Sequence, residues 1–488
     1  MSAAPTVAGI GHSTERQHYW LTFAVLALAG LTFALLQSLV APALPEIQRD
    51  LHASTTSAAW ILTAYLLSAS VLTPIVGRLG DMFGKERTLV VALGVLGVGT
   101  LLAALATNIA VLIVARVIQG CGGAIFPLAF GIIRDEFPRE RVVSGIALIS
   151  AILGVGGGLG IVLAGPISQE LSYHWLFWFP LVLVVIATIA TLLFVPESPV
   201  KSPGRVNWAG AALLSGWLVC VLVAISEGPT WGWGDRRTVG LFAAAAILLV
   251  AWIWNERHAA EPLVDMNMMR IRGVWTVNAA AFLVGAGMYS SFILIPDFTE
   301  TAPSAGYGFG ASVTQAGLFL APATLMMLLV SPLAGRLGDR AGSRVPLILG
   351  SLATCVAFAF LGVAHTERWE IYLGSAILGV GIGLAFASLA NLIVEAVPRE
   401  QTGVATGMNT VMRSLGGSVG AQIGASVLAG TVIASSGLPT EQGFTIAFLL
   451  AAGACGLAMV ASLAVPRPAQ PQLNPEPEPA RELAGDHA

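Results

Sequence analysis

Charge is scarce in this sequence. Asp, Glu, Lys and Arg make up only 10% of its 488 residues, and 56% of the residues are hydrophobic. Soluble domains carry roughly 25% charged residues, so the composition excludes a water-soluble protein and implies a chain that crosses a membrane many times. A net charge of −3, thinly spread, leaves no basic face for nucleic acid. Cysteine is sparse as well. Cys121, Cys220, Cys355 and Cys455 stand singly in apolar runs, which excludes a disulfide framework and a zinc set, and the seven histidines are scattered. No nucleophile–base cluster and no soluble catalytic segment is present, so an enzyme is not expected. Gly84-Lys85 is not a phosphate loop, because Leu79 and Glu86 stand where that motif needs Gly and Ser or Thr. With no nucleotide site, no cofactor is expected and the energy source would be an ion gradient. A secretory signal is not expected at the N-terminus either: residues 1–17 hold one Arg and no Lys, and the apolar run from Trp20 is too long and has no cleavage site.

What the sequence has is long apolar runs. A spanning helix needs about 20 mainly apolar residues, and fourteen candidates are present. Six lie at 19–42, 55–76, 88–106, 109–133, 142–167 and 175–195, two at 206–226 and 238–255, and six at 274–298, 311–335, 345–364, 370–396, 402–430 and 443–465. With the N-terminus inside, 18 of the 24 Lys and Arg fall on inner segments and four, Arg49, Arg236, Arg237 and Arg368, on outer ones. The remaining two, Arg116 and Arg413, fall inside helices. Positive charge marks the cytoplasmic side, so both termini are expected there. The proline-rich tail 467–488 cannot form a core and is expected to be disordered.

The chain is also two related halves. Gly77-Arg78-Leu79-Gly80-Asp81 returns 258 residues later as Gly335-Arg336-Leu337-Gly338-Asp339, again between apolar runs. Pro138-Arg139-Glu140 returns as Pro398-Arg399-Glu400, and Gly156-Gly157 and Gly160 return as Gly416-Gly417 and Gly420. Recurrence at nearly constant spacing is the mark of an internal repeat. The expected organisation is a cytoplasmic tail (1–17), a six-helix half (18–196), a central segment with two unrepeated helices (197–269), a second six-helix half (270–466) and the tail. In the charged patch at 77–87, Gly77, Gly80 and Gly84 are expected to turn the chain. Arg78, Lys85 and Arg87 surround Asp81, which suits an ion-pair latch that one conformation makes and another breaks; a plain positive loop with turn glycines fits the same residues.

At this point the chain resembles the major facilitator superfamily, and within it the fourteen-helix drug:proton antiporters. Residues 77–87 resemble that superfamily's loop motif between its second and third helices. Arg116-Val117-Ile118-Gln119-Gly120-Cys121-Gly122-Gly123 resembles its fourth-helix motif, and Trp60-Ile61-Leu62-Thr63-Ala64-Tyr65 the branch's second-helix pattern. The resemblance implies an all-α polytopic fold and proton-coupled efflux of amphipathic organic compounds, such as drugs or antibiotics, across the cytoplasmic membrane by alternating access. Two stretches depart from the pattern. The fifth helix reads Gly160-Ile161-Val162-Leu163-Ala164-Gly165 with its proline later, at Pro166, and the first helix has Gln37 but no acid before Glu46. A uniporter or symporter for a small metabolite therefore stays in view, with a membrane enzyme or receptor as a remote alternative.

An arginine at the bilayer centre costs about 2.5–3.5 kcal/mol on insertion scales, so Arg116 is expected to face the protein interior. It would tune a proton-carrying acid or donate between helices, with Gln37 as an acceptor. Asp297 and Glu300 follow Pro296 at the outer end of the ninth span and, with Glu46, are proton-coupling candidates. Asp135 and Glu395 mirror each other as positioning charges. Gln37, Trp60, Tyr65, Tyr289, Asn391, Asn409 and Arg413 are candidates for a pocket between the halves, though each singly fits a helix-packing role. Gly156, Gly160, Gly165 and Pro166 would let the fifth helix bend. The expected partners are a small organic substrate, protons and the bilayer.

Overall fold

The computed structural model describes residues 19–202, 204–433 and 438–466; the proline-rich tail and residues 1–17 lie outside them. The described residues run through fourteen long helices. The first half holds α1 (Tyr19–Ser38), α2 (Thr55–Phe83), α3 (Lys85–Ala104), α4 (109–136), α5 (Arg139–Glu170) and α6 (Trp175–Phe194). The central pair is α7 (Trp208–Trp231) and α8 (Arg236–His258). The second half holds α9 (Arg272–Glu300), α10 (Val313–Ala341), α11 (Arg344–Val363), α12 (Arg368–Ala396), α13 (Thr402–Gly430) and α14 (Glu441–Leu463). The only β pairing among the described residues is one bridge, Val432 to Pro439.

Local chemistry sets the helix ends. Asn108 accepts the Val111 N–H to start α4, Asn207 accepts the Gly210 N–H to start α7, and Ser312 with Gln315 forms a reciprocal capping box at α10. Gly84 (φ 116°) and Gly342 (φ 82°) end α2 and α10 in the left-handed region, where a side chain is strained.

Among the described residues, thirteen helices are long and apolar enough to cross a membrane. The remaining one, α13, has 29 residues but carries Thr406, Asn409, Thr410, Arg413 and Ser414 along its first half. Polarity, not length, sets it apart, and its first half is turned inward. Large apolar side chains such as Val91, Val98, Leu192, Leu193, Ile247 and Val250 are instead exposed on α3, α6 and α8, where lipid solvates them.

Each half has its own apolar core, one built mainly from α1–α6 and the others mainly from α9–α14. The halves meet along two symmetry-related pairs, α2 on α13 and α5 on α10. The α7–α8 pair leans on this joint through α7, which touches both α2 and α13.

Two expectations need correction. The patch at 77–87 is not an extended loop, because α2 stays helical to Phe83 and α3 begins at Lys85, leaving Gly84 as the one turning residue. Gly77 and Gly80 are helical and serve close approach. A Cβ on Gly77 would lie 2.5 Å from the Gly403 carbonyl oxygen, and one on Gly80 2.2 Å from Leu128. The fourth span is broken by a 3-10 segment, Gly120–Ala124. There a Cβ on Gly120 would meet Ser68 and one on Gly123 would meet Thr73, so α4 tightens where it crosses α2. The fifth helix is continuous through Pro166, and its glycines are seats for neighbours: Ala34 and Ser38 of α1 fill Gly156 and Gly160, and Thr314 of α10 fills Gly165.

Candidate functional site

The charged motif closes one end of the bundle. The first N–H groups of a helix have no partner within it, and at α13 two of them find Asp81. Its carboxylate accepts the Gly403 and Val404 N–H groups, each at 3.0 Å, across more than 320 residues of sequence. Asp81 thus caps a helix of the other half and matches the positive end of its dipole. Lys85 Nζ lies 3.9 Å from Asp81 and 2.7 Å from Asp135 of α4, and all three side chains are fully buried. The backbones come into contact around this cap, Gly77 with Gly403 and Pro74 with Gly407. Arg134, on α4, donates to the Val397 and Pro398 carbonyls and to the Thr402 hydroxyl, so it ties the first half to the α12–α13 corner of the second.

The segment joining α6 to α7 straps this motif from outside. The Ser202 N–H donates to the Asp81 carbonyl at 2.7 Å, Arg78 donates to the Ser202 hydroxyl, and Lys85 donates to the Val200 carbonyl. The Ser198 hydroxyl donates to Asp135, and Arg87 pairs with Glu197 at 3.2 Å.

The repeated motif occupies the equivalent place with weaker chemistry. Gly335 approaches Ser144 of α5 as Gly77 approaches Gly403. Asp339, however, is exposed and accepts one bond, from the Ser144 hydroxyl at 3.2 Å. Ser343 stands where the first half has Lys85 and donates to Glu395 at 2.7 Å, so the ion pair Lys85–Asp135 becomes a single hydroxyl–carboxylate bond.

Between the halves lies a cavity of about 430 Å³. Its walls come from α1, α2, α4 and α5 of one half and α9 and α10 of the other; Tyr65, Leu66, Arg116, Tyr289 and Phe292 are among them, and Glu300 with Pro42 and Gly317 marks the end away from the motif. Gln37 Nε2 donates to the Tyr289 hydroxyl at 3.1 Å and bridges the halves across the floor. Beneath the floor is a space of about 30 Å³, bordered by Gln37, Tyr65, Tyr289, Thr410 and Arg413, with room for a water molecule. Arg116 is fully buried beside the cavity. It donates to the Leu36 and Ile61 carbonyls and to Gln119, which donates in turn to Thr100, and its guanidinium stacks 3.9 Å from the Tyr65 ring centroid. The cavity shared by two halves is that of a vessel for a small molecule, with no cluster of His, Cys, Asp and Glu for a metal among the described residues.

Comparison with known proteins decides the family. The model of the Major Facilitator Superfamily matches residues 26–421 and, again, 277–486. The chain belongs to the major facilitator superfamily. It is 28% identical over 82% of its length to the tetracenomycin C resistance and export protein of Streptomyces glaucescens, covering 74% of that protein. It is 29% identical over 75% of its length to multidrug resistance protein 3 of Bacillus subtilis (strain 168), covering 70% of it. Among solved structures, the human organic anion transporter MFSD10 (TETRAN) matches with a TM-score of 0.66 over 92% of this chain and all of that one; at 17% identity the likeness is one of fold. The protein is therefore a multi-pass membrane transporter and not an enzyme.

Within this major facilitator fold the candidate residues separate. Gln37, Tyr65, Arg116, Tyr289 and Glu300 line the cavity, and Arg413 lies just below it. Asp297 is exposed one turn before Glu300 and is not in the cavity wall. Glu46 is on a short helix, Leu44–Asp50, after α1. Trp60 lies beyond the cavity wall on α2. Asn391 donates to the Val143 carbonyl at the sealed end, and Asn409 donates to Asn278 between α13 and α9. The acceptor expected for Arg116 was Gln37; it is Gln119, one turn on, because Gln37 faces Tyr289. Sequence reasoning missed the bridging work of Arg134 and the 197–202 strap. A cation beside Pro138-Arg139-Glu140 was visible for the first, and nothing in the sequence pointed to the second.

Proposed function

We propose that the protein exports amphipathic organic compounds across the cytoplasmic membrane by alternating access, driven by proton entry. All fourteen helices span the bilayer in this reading, and both termini are cytoplasmic. The observation that carries it is a cavity shared by both halves and closed at the motif end by the Asp81 cap on α13 and the Arg134 bonds to the α12–α13 corner. The inner-side excess of Lys and Arg supports a cytoplasmic position for that sealed end. The described state then faces outward, and breaking the Asp81 cap lets the halves rock to the inward state. Glu300, at the mouth, with Asp297 beside it, is placed to exchange protons with the outside, and Arg116 is placed to hold the N-terminal wall of the cavity in register. No cofactor enters the cycle. The relatives' resistance and export roles support efflux of small organic molecules as the direction and class.

The test is flux in proteoliposomes with an imposed pH step. Extrusion of a fluorescent amphiphile that accelerates as protons enter supports the proposal. Equal flux with and without the pH gradient leaves a uniporter, and co-directional movement of proton and substrate leaves a symporter.

A further inference from the structure

The charges around the cavity are unbalanced. Among the described residues lining it and the space beneath its floor, the charged groups are Arg116, Arg413 and, at the mouth, Glu300. Neither arginine is paired with a carboxylate. Arg413 lies over the Phe386 ring at 4.7 Å, and Arg116 donates only to neutral acceptors. A buried cation needs a partner of opposite charge or dense hydrogen bonding, and here the polar groups left over are donors. The second guanidinium nitrogen of Arg116, Nη2, and the Tyr65 hydroxyl are buried with no partner. The Tyr289 hydroxyl accepts from Gln37, which leaves its own proton free to give. The rest of the wall is apolar: Leu62, Leu66, Met288, Phe292 and Ile293.

We infer that the cavity selects organic anions: an apolar body rests against Leu66, Met288 and Phe292, and its acid group lodges over the Gln37–Tyr289 bridge, between Arg116 and Arg413. This rests on the export reading for the statement that the anion is transported, but not for the statement that it binds. A trimethylammonium or amine at the same place would meet two guanidinium groups and no carboxylate. An acid would give Arg116 Nη2 and Tyr65 their missing acceptor, in a site poor in water where charge-assisted bonds are strong. An exported anion also gains from an inside-negative membrane potential, so its exit is favoured by the electrical as well as the chemical part of the gradient.

The experiment uses the full-length protein in detergent micelles and three naphthalene derivatives of one size, bearing a carboxylate, a carboxamide or a trimethylammonium group. Binding is followed by calorimetry at neutral pH. A charge-assisted hydrogen bond carries roughly ten- to a hundred-fold in affinity, so the acid is expected to bind at least about ten-fold more tightly than the amide, and the cation most weakly. Arg413→Met should bring the acid down to the amide and leave the amide unchanged; Arg413→Lys should keep most of the preference. Tyr65→Phe, which deletes the unpartnered hydroxyl, should weaken the acid alone and serves if Arg413→Met does not fold. The inference is overturned if the wild-type protein binds the trimethylammonium compound as tightly as the acid, or if Arg413→Met weakens acid and amide alike. Competition by phosphatidylglycerol would assign the site to an anionic headgroup and its absence to a free acid; either keeps the charge class. Flux of the same series separates the two readings: an acid that binds selectively but is not carried removes export and leaves the site, whereas amide and cation carried without the acid remove the site and leave export.

Discussion

Replacing Asp81 by Asn takes a negative charge and one acceptor from the sealed end without changing its shape. The carboxylate now holds two α13 N–H groups at 3.0 Å and lies 3.9 Å from Lys85. An amide keeps one acceptor oxygen and turns its NH2 toward the second N–H, so one bond is lost and a buried donor is left facing a donor. A hydrogen bond to a charged group contributes about 1.5–3 kcal/mol, and a charge at a helix N-terminus about 0.3–1 kcal/mol, more when buried. The closed end is therefore expected to weaken by about 3 kcal/mol, which shifts an open–closed equilibrium about a hundred-fold. A cysteine at Thr406, which is buried one turn inside the cap on α13, reports that shift on a background with the four native cysteines replaced. Its alkylation by a water-soluble maleimide from the motif side should accelerate about a hundred-fold in Asp81→Asn, while the yield of folded protein stays near wild type. Substrate flux should fall, because the outward state is no longer held. An unchanged alkylation rate together with wild-type flux would refute the cap as the latch. Asp339→Asn is the internal control: the residue is exposed, and its single bond to Ser144 is of the class that contributes at most about 1 kcal/mol.

Other consequences follow from the same geometry. Lys85→Ala leaves Asp81 and Asp135 buried without their cation; a loss of about 3–5 kcal/mol is expected, read as a lower melting temperature, and Asp135→Asn in the same chain should restore part of it. Gly77→Leu sets a side chain against the Gly403 carbonyl, so the maleimide rate should rise as in Asp81→Asn, with Gly335→Leu acting at the α5 contact instead. Arg116→Ala removes three donated bonds and the Tyr65 stack and should lower both the melting temperature and substrate flux, whereas Arg116→Lys, which keeps the charge, should retain part of each; wild-type melting and flux in the alanine variant would remove Arg116 from the cavity wall. Cysteines at Lys201 and Arg368 should be labelled from opposite sides of the membrane, and labelling from one side would break the proposed topology.

Much of this architecture was legible because it depends on properties carried by runs of residues. Apolar length located the helices, and duplication of Gly-Arg-Leu-Gly-Asp located the halves. What was not legible depends on partners hundreds of residues away. Gly77 and Gly80 carry the signature of turn glycines, and only the approach of Gly403 and Leu128 reveals that each clears room for a neighbouring helix. Asp81 was readable as a carboxylate among cations but not as a helix cap, since its two donors are anonymous backbone groups at Gly403 and Val404. For Arg116 the nearer answer was in the sequence: Gln119 is three residues on, the spacing that puts two side chains on one helix face. Gln37 was the better guess for a bridge between helices and proved to bridge the halves, through Tyr289, instead.

The two motif copies explain why a duplicated chain need not behave symmetrically. The internal repeat supplies two equivalent joints, α2 on α13 and α5 on α10, and in the described state both are closed at the motif end. If each joint carried the same chemistry, the closed end would be held twice. Instead, the first joint has a buried carboxylate on two helix N–H groups, backed by Lys85 and Asp135, while the second has an exposed Asp339 on one hydroxyl and Ser343 in place of the lysine. The polar stabilisation of closure thus falls mainly on the first joint, at the Asp81 carboxylate and at Arg134. The α6–α7 strap grips the same motif by other atoms: the Ser202 N–H donates to the Asp81 backbone carbonyl, and Lys85 donates to the Val200 carbonyl. A conformational change needs an equilibrium that a modest interaction can tip, and a single strong cap opposed by a weak twin meets that need better than two strong ones. Restoring the symmetry should therefore slow the cycle: Ser343→Lys, which places a cation beside Glu395 and Asp339, is expected to hold the motif end shut, lowering flux and slowing maleimide access at Thr406. Faster access in that variant would show that the second joint does not take part in closure.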